Sequence, residues 1–232
     1  MGAVSRGVIS LKSHYNRGML SAIRSVTISA IVLACYQTAS AQPVDLFNGK
    51  NLDGWEVIGE GYWNVMSDGT LVGQRAINKP TEHQCWLYTT KDFAEYDLHL
   101  EYWLRYGGNG GISIRDTTRA QYAHGSKWDA NRTPSHNGYE IQISNGDGDE
   151  YATGSVYLFA KAKTGVQRDF DWNSLDIESR SDAIRVKVNG QLVAEYPGEP
   201  GRPKAGPIGL QLHDSTTLVM FRNIRIREIG KK

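Results

Sequence analysis

Short runs of alternating apolar and polar residues recur along the chain after residue 41. Successive side chains of a β-strand point to opposite faces, so this alternation is typical of strands with one buried face. Turn-forming Gly, Asn and Asp residues separate the runs, and no long helical period interrupts them. The pattern predicts an all-β protein. The predicted strands are 44–47, 55–58, 63–66, 70–73, 85–89, 94–105, 111–115, 139–144, 155–159, 183–188, 191–196, 206–213 and 218–228.

The run 93–105 is the longest of these alternating segments. Aromatic and aliphatic residues occupy one face, and charged residues with one tryptophan occupy the other. The first face holds Tyr96, Leu98, Leu100, Tyr102 and Leu104, and the second holds Asp97, His99, Glu101, Trp103 and Arg105. A strand of this length suits a large, curved antiparallel sheet. Many short strands at close spacing predict a sandwich or jelly roll, and Asn189-Gly190 predicts a two-residue hairpin.

Three predicted strands, 111–115, 139–144 and 206–213, carry aliphatic residues on one face and polar or charged residues on the other. The polar members are Ser113, Arg115, Glu140, Gln142, Gln211 and His213. If the three strands are neighbours, these side chains form one polar floor on the sheet. Such a floor is where a site that binds or cleaves a sugar would lie.

The segment 116–137 breaks the strand pattern. It contains Tyr122, His124, Lys127, Trp128 and His136 among Thr, Asn, Ser and Gly residues. Loops of this length in a compact domain are usually functional or disordered, and the aromatic and cationic content argues against disorder alone. Because the segment joins Arg115 to the strand of Glu140, we expect it to overhang the polar floor.

Residues 1–41 have the layout of a secretory signal peptide. They contain four cations and no acid, an apolar run over 26–35, and the small-residue cleavage signal Ala39-Ser40-Ala41. The apolar run is too short to span a bilayer as a permanent helix. The alternative is a lipoprotein signal ending before Cys35, which would then carry the lipid. Either interpretation predicts export, to the periplasm or the medium or as a lipid-anchored envelope protein.

The remaining residues, 42–232, suffice for one domain. The whole chain has a net charge of +1, which becomes slightly negative without the cationic leader. The sequence has no basic patch of the kind that would indicate nucleic-acid binding. Cys85 is the one cysteine left, so no internal disulfide forms, and export without disulfides fits a bacterial envelope protein. Its apolar neighbours indicate a buried small side chain. The oligomeric state stays open.

Seven segments, in order along the chain, resemble the 3-keto-disaccharide hydrolase family. They are LFNGKNLDGW at 46–55, WNV at 63–65 with DGTL at 68–71, NGGISIR at 109–115, GYEIQI at 138–143, TGSVY at 153–157, GPIGLQLH at 206–213 and FRNIRI at 221–226. The resemblance implies a concanavalin A-like jelly-roll sandwich of two antiparallel sheets, with 42–232 as a single glycan-active domain. It also implies action on glycosides whose sugar is oxidised to a ketone at carbon 3.

The chemistry of such a substrate assigns roles to the floor residues. A carbonyl at carbon 3 acidifies the hydrogen on carbon 2, so a base can remove it and the glycosidic oxygen can leave from carbon 1. Addition of water then makes the net reaction a hydrolysis. A base, a stabiliser for the enolate and a proton donor are needed. We assign Glu140 as the base, Arg115 as the charge stabiliser and His213 as the acid–base partner.

The remaining candidates would bind the sugar. Trp103 is chosen as a stacking platform because it faces away from the Leu98-Leu100 side, while Trp128 and His136 would close over the sugar from the long loop. Hydroxyl groups would be bound by Asn109, Gln142, Gln211 and Tyr157.

Two other functions use the same residues. A lectin-like envelope domain would bind carbohydrate without turning it over, because fold alone does not set function. A direct glycosidase needs two carboxylates across the scissile bond. Since Glu140 is followed by Gln142 and Ser144, the second carboxylate would have to be Glu101 or Asp97. A structural ion pair between Glu140 and Arg115 is the non-functional alternative.

A metal ion has weaker support. A divalent cation bound by Glu140 and His213 stays an alternative, although no His-x-x-x-His spacing supports it. The oxygen-rich segment 145–150 suits calcium in principle. It lacks the spacing of an EF-hand loop, so a solvated turn is the better interpretation.

Overall fold

The computed structural model describes residues 41–75, 83–146 and 148–230. Residues 1–40, with both interpretations of the leader and Cys35, lie outside these ranges, so export stays a prediction. Within the described ranges, no helix combines the length and the apolar composition needed to cross a membrane.

Antiparallel strands dominate the described residues, as the alternation predicted. The strands are β1 Val44–Asp45, β2 Trp55–Ile58, β3 Gly61–Val65, β4 Leu71–Arg75, β5 Cys85–Thr89, β6 Tyr96–Leu104, β7 Asn109–Ile114, β8 Tyr139–Ser144, β9 Asn173–Arg180, β10 Ala183–Val188, β11 Gln191–Tyr196, β12 Ile208–Leu212 and β13 Leu218–Glu228. Between β7 and β8 lie two 3₁₀ turns, Gly125–Lys127 and Ala130–Arg132, and the short helix α1, Pro134–Asn137.

The described strands form two antiparallel sheets. The larger sheet has the order β11-β10-β9-β6-β13-β4-β3, with β1 pairing to β13, and the smaller has the order β2-β5-β12-β7-β8. One apolar core joins them, with Leu98 and Leu100 from the larger sheet and Ile112, Ile141 and Leu210 from the smaller. The all-β sandwich of two antiparallel sheets is therefore confirmed.

Two details of the strand prediction are confirmed in this arrangement. Residues of β6 alternate between buried and half-buried along its whole length, with Leu98 and Leu100 on the buried face. The hairpin between β10 and β11 turns at Asn189 and Gly190, whose φ values are +49° and +78°. Such positive φ values at both central residues favour Asn-Gly.

The strand prediction is wrong in two places. Strand β9 was not predicted because its buried face has only Leu175 and Ile177, flanked by the polar Asn173 and Ser179, which weakens the apolar signal. The predicted strand 155–159 is irregular, with Val156 in isolated bridges to Ile141 and Ala160. It nevertheless follows the free edge of β8, where the Tyr157 N–H donates to the Glu140 carbonyl at 2.8 Å.

Candidate active site

Strands β12, β7 and β8 are neighbours in the smaller sheet, so the predicted polar floor exists. Leu210 pairs with Ile112, and Ile112 pairs with Ile141, which aligns the aliphatic residues of all three strands toward the core. On the opposite face, Glu140 stands beside Ser113 and Gln142 stands beside Gly111. The alternation of the three strands thus places one carboxylate and several amides on a common surface.

The segment 116–137 covers this floor, as the sequence predicted. Ala120 and Ala123 pack on the outward-facing rings of Trp86 and Tyr88, with Trp128 beside them. The buried carboxylate of Asp116 fixes the start of the segment, because it accepts from the Ala120 N–H at 2.8 Å and from the Tyr88 hydroxyl at 3.1 Å. We call residues 116–137 the roof.

A cavity of about 160 Å³ lies between the floor and the roof. Most of the predicted site residues line it: Asn109, Trp128, His136, Glu140, Gln142, Tyr157 and His213. Four further residues that sequence reasoning missed also line it, namely Gln84, Ala130, Thr133 and Ser135. Within the described residues, Glu140 is the one carboxylate among the cavity-lining side chains.

Glu140 lies at the bottom of this cavity with 4% of its surface exposed. Burial raises the pKa of its carboxyl from 4.5 to about 8, because the charged form loses its hydration, while the nearby amide of Gln211 acts in the opposite direction. A carboxylate with such a pKa is partly ionised near neutral pH and is basic when ionised. This combination suits a general base.

Gln211 lies in the floor and is fully buried, but it does not line the cavity, which corrects its predicted role in binding a sugar hydroxyl. Within the part of the chain that the structure describes, neither the oxygen nor the nitrogen of its amide makes a hydrogen bond of ordinary geometry. The amide instead lies next to the Glu140 carboxyl and lowers the pKa of that carboxyl.

The two histidines occupy different parts of the cavity. The His136 ring is held from the roof by the Thr133 hydroxyl at 2.9 Å, and its pKa is lowered by desolvation and by the cation of Arg202. His213 follows β12 at the cavity rim and is an exposed residue. The protein packed around His213 nevertheless lowers its pKa by desolvation. Both rings are therefore neutral at and above pH 7.

Gln84 joins the site through the outward face of β5, which it shares with Trp86 and Tyr88. The Trp86 indole N–H donates to the Gln84 side-chain oxygen at 3.0 Å. Because an indole can only donate, this bond fixes the amide orientation and leaves the NH₂ group of Gln84 as a donor. The alternation of residues 84, 86 and 88 could have placed Gln84 on this outward face. No comparable sequence pattern marks Thr133 and Ser135, which lie in the irregular structure of the roof.

Arg115 does not reach the cavity, which corrects its predicted placement on the floor. Strand β7 ends at Ile114, and Arg115 adopts a φ of +62° that ends the alternation. The residue is 1% exposed, and its guanidinium donates to the Ser179 hydroxyl at 2.8 Å and to the Arg180 carbonyl at 2.5 Å. Arg115 thus ties the end of β7 to β9 of the other sheet, and no ion pair with Glu140 forms.

Trp103 and the two spare carboxylates are also remote from the cavity. Trp103, Glu101 and Asp97 lie on the outer face of β6, in the larger sheet. Glu101 pairs with Arg222 at 2.6 Å, and Asp97 pairs with Arg180 and Arg227. Trp103 is therefore no platform for a sugar in this cavity, and neither acid can act opposite Glu140.

No group of three or more His, Cys, Asp or Glu side chains within the described residues is placed to hold a metal ion. In the segment 145–150, Asp149 bonds to the Ser144 hydroxyl and Glu150 pairs with Lys161 at 3.0 Å. Both carboxylates thus have protein partners.

Gly111 leaves the space that the Glu140 carboxylate occupies. A methyl group added at Gly111 would come within 2.9 Å of Glu140 Oε1 and 3.0 Å of its Cγ. Replacing Gly111 by alanine should therefore displace the carboxylate and lower kcat for the substrate proposed below by roughly 10²-fold. Gly146→Ala, whose new methyl would meet only ordinary contacts at 3.4 Å or more, is the matched control. Equal kcat values for both variants and the wild type would show that the position of Glu140 does not matter.

Comparison with known proteins identifies the family of the chain and agrees with its two-sheet fold. The family described as the 3-keto-alpha-glucoside-1,2-lyase-like domain matches residues 42–227, which confirms the family resemblance. A search of curated proteins found no match. Among solved structures, a candidate glycosyl hydrolase from Parabacteroides distasonis ATCC 8503 is 25% identical, with a TM-score of 0.61 over 81% of this chain and 100% of that chain.

Two more distant structures identify the fold class. A protein of unknown function with a galectin-like fold from Bacillus subtilis has a TM-score of 0.59 at 12% identity, covering 82% of this chain and 96% of that chain. The Bacillus licheniformis β-glucanase has a TM-score of 0.51 at 12% identity, covering 84% and 100%. The described domain is thus a concanavalin A-like jelly roll.

Proposed function

Because the chain belongs to the 3-keto-α-glucoside-1,2-lyase-like domain family, we propose that it cleaves 3-keto-glycosides by elimination across carbons 1 and 2, followed by hydration. The observation that carries this proposal is the buried carboxyl of Glu140, which has a pKa near 8 and faces a cavity flanked by amides. Carbohydrate binding alone gives no reason to bury an acid at this cost in hydration.

The first step removes the proton from carbon 2. Ionised Glu140 takes this proton, and the electron pair forms an enolate with the carbonyl at carbon 3. Neutral donors must stabilise the enolate oxygen because Arg115 lies elsewhere. The NH₂ group of Gln84, which lines the cavity and is held by Trp86, is the candidate donor.

In the second step the enolate collapses, a double bond forms between carbons 1 and 2, and the bond from carbon 1 to the glycosidic oxygen breaks. Glu140 now carries a proton for the departing oxygen, and neutral His213 at the rim donates a hydrogen bond to it. Water then adds its hydroxyl to carbon 1 and a proton to carbon 2. Asn109, Gln142, Tyr157, Trp128 and His136 hold the sugar.

A direct two-carboxylate glycosidase has less support. Glu140 has no second acid across the cavity within the described residues, and Glu101 and Asp97 are held in ion pairs on the other sheet.

Turnover of a chromogenic 3-keto-glucoside and of its unoxidised parent tests the proposal. We expect cleavage of the keto compound only, because the parent lacks the acidic hydrogen at carbon 2. Cleavage of the parent at a similar rate would favour direct glycoside hydrolysis, and cleavage of neither would favour a lectin-like binding domain. A parallel reaction with a chelator decides whether a divalent cation is required.

The pH dependence of kcat/KM should report the ionisation of Glu140. Its base form is required, so kcat/KM should rise about tenfold per pH unit below about pH 8 and level off above it. The pKa values of His213 and His136 are lowered from 6.5, so both histidines titrate well below the rise expected for Glu140. Rates from about pH 4 to 9.5, corrected for spontaneous elimination, give the profile. A rise centred near pH 4.5 would contradict the role of the buried carboxyl.

A further inference from the structure

The cavity is small, and we expect it to enclose a single sugar ring. Its volume of about 160 Å³ is below the roughly 300–1,000 Å³ of pockets that enclose drug-sized ligands. Glu140 lies at the bottom, so the ring that loses its carbon-2 proton must enter fully. The group that leaves from carbon 1 must then lie outside the cavity.

Tyr157 and Tyr151 form an aromatic surface next to this cavity. Tyr157 lines the cavity, is half-buried, and is fixed to the strand of Glu140 through its backbone N–H. The ring of Tyr151 meets the ring of Tyr157 with 4.9 Å between their centroids and an angle of 55° between their planes. Tyr151 itself is half-buried and does not line the cavity. The aromatic surface therefore continues from inside the cavity to outside it.

Residues 148–152, which include Tyr151, lie near two of the cavity-lining residues, Tyr157 and His213. The pKa of Tyr157 is raised mainly by desolvation, with smaller contributions from Glu140, Tyr151, Glu150 and Asp149. The charge of Asp149 also makes a small contribution to the pKa of His213. The segment is thus close to both residues.

The charged groups next to Tyr151 have partners within the protein, so we expect a neutral ligand to contact the half-buried ring rather than these charges. Glu150 pairs with Lys161 at 3.0 Å, Asp149 bonds to the Ser144 hydroxyl, and the Lys161 ammonium lies 5.8 Å from the centre of the Tyr151 ring. These contacts limit the movement of the ring. An anionic ligand is disfavoured by the two carboxylates, whereas the C–H face of a neutral ring can pack on an aromatic side chain.

We propose that Tyr151, together with Tyr157, forms a second subsite that binds an uncharged, ring-shaped leaving group of the substrate. The subsite rests on the proposed function, since it requires that the bond at carbon 1 lies at the cavity rim. Tyr151 is a specificity-determining residue in this arrangement: it binds the departing ring and takes no part in the proton transfers.

Leaving groups of different shape test the subsite. The substrates are 3-keto-glucosides that carry a methyl, a glucosyl or a phenyl group on the glycosidic oxygen. Tyr151→Ala should lower kcat/KM for a ring-bearing substrate relative to the methyl glycoside by roughly tenfold. A relative loss with the glucosyl substrate identifies a sugar subsite, and a loss confined to the phenyl substrate identifies an aryl subsite. An unchanged ratio for both rings overturns the proposal.

Tyr106→Ala is the matched control. Tyr106 is also a partly exposed tyrosine in an aromatic contact, stacked on Phe170 at 5.7 Å, but it does not line the cavity. Its replacement should leave the ratios of all three substrates unchanged. Equal losses in the two variants would indicate a general effect of removing a surface tyrosine and would overturn the role of Tyr151.

Binding of unoxidised compounds separates this proposal from the proposed function. Calorimetric titration with methyl glucoside, phenyl glucoside and the diglucoside requires no turnover. The wild type should bind at least one ring-bearing compound several-fold more tightly than the methyl glucoside, and Tyr151→Ala should abolish that preference. If the preference exists but no 3-keto-glycoside is cleaved, the reaction is wrong and the subsite stands. If cleavage occurs without any preference, the subsite is wrong and the reaction stands.

Discussion

Glu140→Gln is expected to lower kcat for 3-keto-glycosides by roughly 10²–10⁴-fold, the range that a positioned general base contributes. Glutamine keeps the size of the side chain and its hydrogen-bonding capacity but cannot accept the proton from carbon 2. Burial has made Glu140 a stronger base than an exposed carboxylate, so water is a poor substitute. Steady-state rates of the variant on the chromogenic keto substrate measure the effect, and full activity would remove Glu140 from the mechanism.

The stability of the same variant provides its control. A pKa raised from 4.5 to about 8 on folding means that the neutral carboxyl contributes stability that is fully present below pH 4.5 and is lost as the pH rises through about 8. Glutamine does not titrate, so Glu140→Gln should be at least as stable as the wild type at pH 8. Its melting temperature then shows that lost activity is not lost folding. An unfolded variant at that pH would contradict the ionisation assigned to Glu140.

Arg115→Ala should destabilise the fold by about 2–4 kcal/mol. The change empties a fully buried volume between the sheets and removes the donors to the Ser179 hydroxyl and the Arg180 carbonyl. The turnover of the molecules that remain folded should stay close to wild type, because the guanidinium does not line the cavity. Denaturant unfolding and kcat at a temperature below the transition measure the two effects separately.

Arg105→Ala is the control for this variant, since Arg105 is an exposed arginine in the loop after β6. It should change the free energy of unfolding by no more than about 0.5 kcal/mol. A wild-type unfolding curve for Arg115→Ala, combined with a large loss of kcat, would instead return Arg115 to the role of charge stabiliser.

The alternation of side chains predicted the floor of the site because it depends only on strand geometry. Strands β12, β7 and β8 pair side by side, and their aliphatic residues Ile112, Ile141 and Leu210 face the core. Because side chains alternate along a strand, Glu140 and Gln142 must then lie on the opposite face. The overhang of the roof followed from connectivity, since both of its ends join floor strands. Most of the correctly predicted cavity residues lie either on the floor strands or in the roof.

The residues that were misplaced depend on features that the alternation does not contain. Arg115 lies one residue beyond β7, where a positive φ redirects the side chain into the core. Trp103 faces outward as predicted, but its strand belongs to the larger sheet, and single-strand patterns do not reveal which strands share a sheet. Gln84 was missed because it precedes an apolar strand whose outward face, Trp86 and Tyr88, is covered by the roof.

Cleavage of a 3-keto-glycoside in deuterium oxide, followed by NMR of the first product formed, tests most directly whether the reaction proceeds through proton removal at carbon 2. Elimination followed by hydration should place deuterium from the solvent on carbon 2, at a rate that the Glu140→Gln variant and an enzyme-free sample do not match. A product that retains the original hydrogen at carbon 2 would contradict the mechanism and show that the bond at carbon 1 is hydrolysed directly.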